Sequence, residues 1–282
     1  METGPPGGEG APIEVELKFR VGPDTATALW ALGAVGLPHT PPFRDCYFDV
    51  PGAALGRADI WLRHRQGQGW QLKLPHGDPR LPHGDPEPAH GDPQPHRNAE
   101  TTRTPPKPAE PRSHPPPTSP PSRPPSAVTI YREVWGDAGV LQELTRLLGV
   151  PSAPWGSVRA ALAPLGLRPT ASFVTRRRSV RVGRVKVELD EADFGYGLGE
   201  AEEEVTAEGG AREVEEARKR VEGVCRALGA EPRQRIPGKL SVFLARHQPR
   251  YYKLLREAGR LEEVEKEEKE EEKEEEVPGP TQ

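Results

Sequence analysis

The chain has 282 residues, 34% hydrophobic and 29% charged, with 35 prolines, 30 glycines and 2 cysteines. Such a composition excludes a packed core over the whole length, and two cysteines, Cys46 and Cys225, exclude a disulfide framework or a cysteine metal site. The net charge of −4 is unevenly placed: residues 262–276 hold 11 Glu and 3 Lys, so the rest of the chain carries +4 and suits an anionic ligand.

In chain order, METGPPGGEG has neither the basic nor the apolar region of a secretory leader, and residues 1–11 are expected to be disordered. IEVELKF opens a strand over 13–20: Ile13, Val15, Leu17 and Phe19 alternate with Glu14, Glu16 and Lys18, each set on its own face. Residues 24–35 fit a short helix with Asp24 as N-cap. Strands are expected at 43–50, 57–66 and 69–75, with GQG (67–69) as a turn. Residues 76–126 begin with a seven-residue HGDP repeat and, with Pro75, hold 18 of the 35 prolines. Proline removes donors and blocks helix and central strand, so this stretch is expected to be a disordered, partly polyproline II insertion rather than a metal-binding tract. A strand follows at 127–135, then helices at 137–148 and 156–166, strands at 171–182, 184–191 and 197–207, and an amphipathic helix at 212–228 ending before Gly229. The glycines of FGYGLGE do not match a dinucleotide fingerprint, since no helix follows. Residues 239–257 carry a last helical pattern interrupted by Pro249, and 258–282 read as a solvated acidic tail. The longest apolar run, ALWALGAVGL, is too short for a bilayer, so the expectation is a cytoplasmic monomer without membrane or nucleic-acid partners.

Period two sorts the charges. Trp61, Arg63 and Arg65 share one face of their strand, and Lys73 lies opposite Leu72 and Leu74 on the next. Arg177 is in register with Phe173 and Thr175, Lys186 with Glu188 and Asp190, Glu200 with Glu202 and Glu204, and Glu133 with Tyr131. Several strands thus have one apolar face and one of mixed, ordered charge. Eight mostly hairpin-linked strands form an antiparallel sheet that can close into a barrel. The expected class is α+β, a closed eight-stranded antiparallel barrel with flanking helices, its charged faces lining a tunnel. Carboxylates without His or Cys are hard ligands for Mg²⁺ or Mn²⁺, while Lys and Arg suit phosphate. Together they suit a metal-bound chain of phosphates.

Glu14-x-Glu16-x-Lys18 resembles the ExExK signature of the CYTH, or triphosphate tunnel metalloenzyme, superfamily. FRDCYFD, WLRHR, WQLKLP, LAPLGL, SFVTRR, VELDEADFGYGLGEAE and PGKLSVFL extend the resemblance to its thiamine triphosphate hydrolases, over nearly all of 12–256 outside the insertion. The resemblance implies a CYTH tunnel domain at 12–257 and Mg²⁺-dependent hydrolysis of thiamine triphosphate. It further implies that Glu14, Glu16, Glu188, Glu200 and Glu202 hold metal and that Lys18, Arg63, Arg65, Lys73, Arg177 and Lys239 hold the triphosphate. Trp61 would stack on the thiamine rings. Glu188 stands where the compared hydrolases carry Asp, and Asp190 is the neighbour that could share its role.

For the proton acceptor, Lys73 is the expected base, its ammonium disfavoured by Arg63, Arg65 and Arg177 and its amine oriented by Tyr47. A metal-bound water is the rival. Other readings are hydrolysis of inorganic triphosphate or nucleoside triphosphates, cyclase activity on the same fold, and a polyphosphate-binding module without turnover. Six lumen carboxylates would oppose a binding module unless they hold metal. His64 and Cys46 are expected to face outward.

Overall fold

In the computed structural model the described residues are 11–77, 81, 127–151, 154–231 and 234–264. The expected N-terminal disorder, most of the insertion and the acidic run beyond 264 lie outside them. The strands are β1 (Ile13–Phe19), β2 (Val35–Gly36), β3 (Thr40–Asp49), β4 (Trp61–Arg65), β5 (Gly69–Pro75), β6 (Thr129–Trp135), β7 (Arg168–Val182), β8 (Val185–Ala192) and β9 (Tyr196–Val205). The sheet order is β2-β7-β3-β4-β5-β6-β1-β9-β8, and β8 also pairs with β7. That last pairing closes eight antiparallel strands into a barrel, with β2 lying outside the ring against Val180 and Arg181.

The helices are α1 (Thr25–Ala31), α2 (Ala54–Arg57), α3 (Gly136–Leu148), α4 (Val158–Ala161), α5 (Gly210–Ala227), α6 (Lys239–His247) and α7 (Pro249–Glu257). No described helix is long and apolar enough to cross a membrane. The apolar faces turn outward, as the alternation requires. Val214, Ala217, Val221 and Cys225 of α5 cover Val15, Leu17, Val187 and Ala201. Val140 and Leu144 of α3 cover Leu62, Leu72, Leu74 and Val134 on the other flank. A third cluster closes one end of the lumen, where Phe173 and Ala171 of β7 meet Leu244 of α6 and Leu255 of α7. Each cluster removes several large side chains from water, at about 1.5–3 kcal/mol per fully buried side chain. In β9, Gly199 opposes Phe19, and a Cβ there would lie 2.3 Å from the Phe19 ring. Only glycine lets that ring lie across the strand.

Several local expectations are corrected. The strand expected at 57–66 begins at Trp61, because Asp49 accepts backbone N–H bonds from Leu55 at 3.0 Å and Gly56 at 2.9 Å and winds the preceding residues into a helical turn. Asp24 makes no side-chain cap; the Gly22 N–H donates instead to the Thr25 hydroxyl. The helix expected at 156–166 is regular only over Val158–Ala161, capped by Ser157, which accepts from the Ala160 N–H. Pro249 divides the last pattern into α6 and α7. The acidic tail does not leave the body at 258: Leu261 packs against the third cluster and Arg260 Nε donates to the Arg57 carbonyl at 2.8 Å.

Candidate active site

The lumen is a chain of opposed charges held in register by the barrel. On β1, Glu14, Glu16 and Lys18 point inward as a consequence of the two-residue period, and β9 sets Glu204, Glu202 and Glu200 beside them. Lys73 of β5 faces this row, 3.2 Å from Glu16 and 3.2 Å from Glu133, and is also bonded to Glu14. Lys18 pairs with Glu16 and Glu200, and Thr129 donates its hydroxyl to Glu16 at 3.0 Å. Across the tunnel, Arg177 grips Asp190 through two bonds of 2.7 and 2.6 Å and also meets Glu188 and, at 3.4 Å, Glu200. Lys239, on the first turn of α6, enters from the end of the barrel and reaches Asp190 and Glu200. Lys186 holds Glu202 at 2.8 Å. Arg65 makes a two-bond pair with Asp45 at 2.7 and 2.8 Å, and Arg63 bonds Gln71 at 2.5 Å and Tyr47.

These contacts set the protonation states. Burial pushes Glu16 up, but the Lys18 and Lys73 ammoniums outweigh it and hold the carboxyl well below its usual range. Burial of Glu14, reinforced by Glu133, Glu16 and Glu202, outweighs Lys73 and raises Glu14 well above that range. Glu200 is buried too, yet Lys239, Lys18 and Arg177 bring it down to about 2.

Every sequence-expected site residue reaches the lumen or its end. Two chambers share Arg63, Arg65, Lys73, Arg177 and Glu200. The smaller, about 140 Å³, opens toward Tyr47, Trp61, Thr129 and Lys239; the larger, about 370 Å³, toward Glu14, Lys186, Glu188, Glu202 and Glu204. The insertion meets the barrel at the β5–β6 hairpin, and Ala127 at its end lines the smaller chamber. Cys46 lies beside Ser172 and His64 against Trp70, both away from the lumen. The surroundings of Lys73 differ from the expected cluster of arginines. Burial lowers its pKa, but Glu14, Glu16 and Glu133 outweigh burial and Arg63 together, and the ammonium is held well above its usual range. Tyr47 pairs with Arg63 in register and does not adjoin Lys73 on the next strand.

Not assigned from sequence were Glu133, Asp45, Lys186 and Asp59. The first three follow the same alternation and were legible beside Tyr131, Tyr47 and Glu188 respectively. Asp59 was not legible: it sits in a left-handed turn (φ 64°), where its Oδ1 accepts from Trp61 Nε1 at 3.0 Å and from the Tyr131 hydroxyl at 2.9 Å.

Two groups of carboxylates offer oxygens within 4.8 Å of one another: Glu14, Glu16 and Glu202, and Glu188, Asp190 and Glu200. Each can hold a hard cation. Carboxylates and cationic side chains alternate around both chambers. Glu133 Oε1 and Glu188 Oε2 are buried and are ion-paired to Lys73 and Arg177 respectively. A divalent cation fits the all-oxygen donor chemistry of the two groups.

The CYTH domain family matches residues 12–95. Thiamine-triphosphatase of Macaca fascicularis is 33% identical over 254 residues, covering 87% of this chain and 90% of that protein. Thiamine-triphosphatase of Homo sapiens is 32% identical over 264 residues, covering 90% of this chain and 94% of that protein. A solved protein of Pyrococcus horikoshii aligns with a TM-score of 0.46 at 18% identity, over 83% of this chain and 99% of that one. On the extent and identity of the two primate matches, the chain belongs to the CYTH superfamily, in its thiamine-triphosphatase family.

Proposed function

We propose that the protein is a Mg²⁺-dependent hydrolase that converts thiamine triphosphate and water to thiamine diphosphate and phosphate, acting as a cytoplasmic monomer. The observation that carries this reading is the convergence, in one closed lumen, of two three-carboxylate groups with Lys and Arg side chains, ending at an aromatic wall. The two primate relatives named thiamine-triphosphatase support the substrate. The unpaired cysteines, one buried and one half-buried, fit a reducing compartment.

Glu14, Glu16 and Glu202 on one side, and Glu188, Glu200 and Asp190 on the other, are the residues that would hold Mg²⁺. When bound, the ion polarises phosphoryl oxygens and lowers the pKa of water. Lys18, Arg63, Arg65, Lys73, Arg177 and Lys239 bind the phosphates, and every one but Arg63 and Arg65 already touches a carboxylate of these two groups. Phosphate binding is therefore an exchange of partners, and it is favourable only when the released carboxylates gain a cation. Lys73 serves as a phosphate clamp, since its ammonium is stabilised by three carboxylates. Trp61, its ring anchored through Asp59, stacks on the thiamine rings.

Phosphate release from thiamine triphosphate, inorganic triphosphate and ATP, measured in parallel with Mg²⁺ and with chelator, tests the reading. Thiamine triphosphate is expected to be turned over fastest, with activity lost in chelator and restored by Mg²⁺. Full activity in chelator, or a preference for ATP, refutes it. Trp61→Ala is expected to lower kcat/KM for thiamine triphosphate by about 1–2 kcal/mol, the worth of a partly desolvated cation–π contact. Inorganic triphosphate has no ring to stack, and its turnover should be unchanged; an equal loss on both substrates would make Trp61 a packing residue.

A further inference from the structure

We infer that Asp45 and Phe43 of β3 form a mount that holds the Arg65 guanidinium as a preset phosphate donor where the two chambers meet, which makes Asp45 a positioning residue for the triphosphate. This rests on the reading of the lumen as a triphosphate site. Inward-facing residues of β3 follow the two-residue period, and the register sets Asp45 directly opposite Arg65 of β4. Asp45 is 0% exposed and accepts from Arg65 Nε at 2.7 Å and from Nη2 at 2.8 Å. Burial pushes its carboxyl up, but Arg65, Arg63 and Lys239 outweigh burial and hold the group below its usual range. Phe43 is buried on the same face of β3, and the Arg65 guanidinium carbon lies 4.3 Å from its ring centroid. The carboxylate fixes one edge of the guanidinium and the ring fixes its plane.

The rest of the guanidinium is set for phosphate. It has five N–H donors, and a carboxylate on Nε and Nη2 leaves the Nη1–Nη2 edge for a second two-bond contact. Arg65 lines both chambers. Its situation differs from that of Lys18, Lys73, Arg177 and Lys239, which pair with carboxylates of the two acidic groups and exchange partners when phosphate enters. Asp45 belongs to neither group, so its pair with Arg65 survives that exchange. A donor that keeps its place before and after binding loses little freedom on binding. A guanidinium released from Asp45 would be drawn toward the acidic groups and off the phosphate path. The charge of Asp45 also repels phosphate, but it stands on the opposite edge of the guanidinium, and the aligned two-bond contact outweighs it.

The test is calorimetric titration of the full chain, with Mg²⁺ present, using imidotriphosphate, a nitrogen-bridged triphosphate that resists hydrolysis. Asp45→Asn keeps the shape of the side chain and is expected to weaken binding about tenfold, the worth of one charge-assisted hydrogen bond. In an Arg65→Gln background the same substitution is expected to cause no weakening, because it acts through Arg65. Phe43→Leu leaves every charge in place and is the second variant if Asp45→Asn does not fold. It is expected to weaken binding about threefold, and less in the Arg65→Gln background, where the approach of Phe43 to Arg177 at 5.3 Å remains. Unchanged or tighter binding in these single variants, or a loss of the same size in both backgrounds, overturns the assignment. A wild-type chain that binds no imidotriphosphate refutes the triphosphate reading itself and the assignment with it. Losses that depend on Arg65, in a chain that releases no phosphate from thiamine triphosphate, uphold the mount and refute the proposed activity alone.

Discussion

Glu16→Gln is expected to lower phosphate release from thiamine triphosphate by about a hundredfold or more. Glu16 accepts from Lys18, Lys73 and Thr129 and belongs to the group of three formed with Glu14 and Glu202. Glutamine retains an acceptor for Thr129 but loses the charge that fits a hard cation. Lewis-acid stabilisation is worth several kcal/mol, and each 1.36 kcal/mol is a factor of ten in rate, which gives the expected size. Steady-state kinetics across a Mg²⁺ titration separates the causes. A loss that high Mg²⁺ partly reverses belongs to cation binding. Near-wild-type turnover at every Mg²⁺ concentration would remove Glu16 from the metal site.

Arg177→Met is expected to cost about 3–5 kcal/mol of stability, the range for removing one partner of a buried charge pair. The guanidinium is only 10% exposed and holds Glu188, Asp190 and Glu200 together. Methionine fills part of the volume and leaves Asp190 and Glu200 to Lys239 and Glu188 to Lys186, so a loss near the lower end is expected. Urea denaturation reads the change as a shift in midpoint at constant slope. Because the three carboxylates left behind form one of the acidic groups, Mg²⁺ is expected to raise the midpoint of Arg177→Met more than that of the wild type. No Mg²⁺ effect on either protein would argue that this group holds no cation.

Much of the lumen was legible without coordinates. Two-residue alternation assigned Glu14, Glu16 and Lys73 to faces opposite the apolar ones, because a pleated strand permits only two directions for its side chains. Lys239 was recovered by resemblance alone, since a lysine at a helix start has no periodic signal. The sequence by itself also determined where the helices end at glycines 149 and 229, both left-handed, because only a residue without a Cβ takes that conformation freely.

What the tertiary structure decided was who neutralises whom. Lys73 looked like a lysine among arginines when strands were compared pairwise. Closure of the barrel placed it instead against Glu14, Glu16 and Glu133, and the direction of its pKa reversed. Register across non-adjacent strands sets such pairings, and no local pattern encodes it. The same holds for Asp49, which holds α2 and takes the Tyr251 hydroxyl at 2.6 Å from a helix two hundred residues on, and for Arg260 and Leu261, which bring the start of an acidic tail back over the chamber. Each is a contact of long sequence separation, whose loop-closure entropy is offset only by the assembled barrel and its helices, so the chain's own periodicities carry no trace of it.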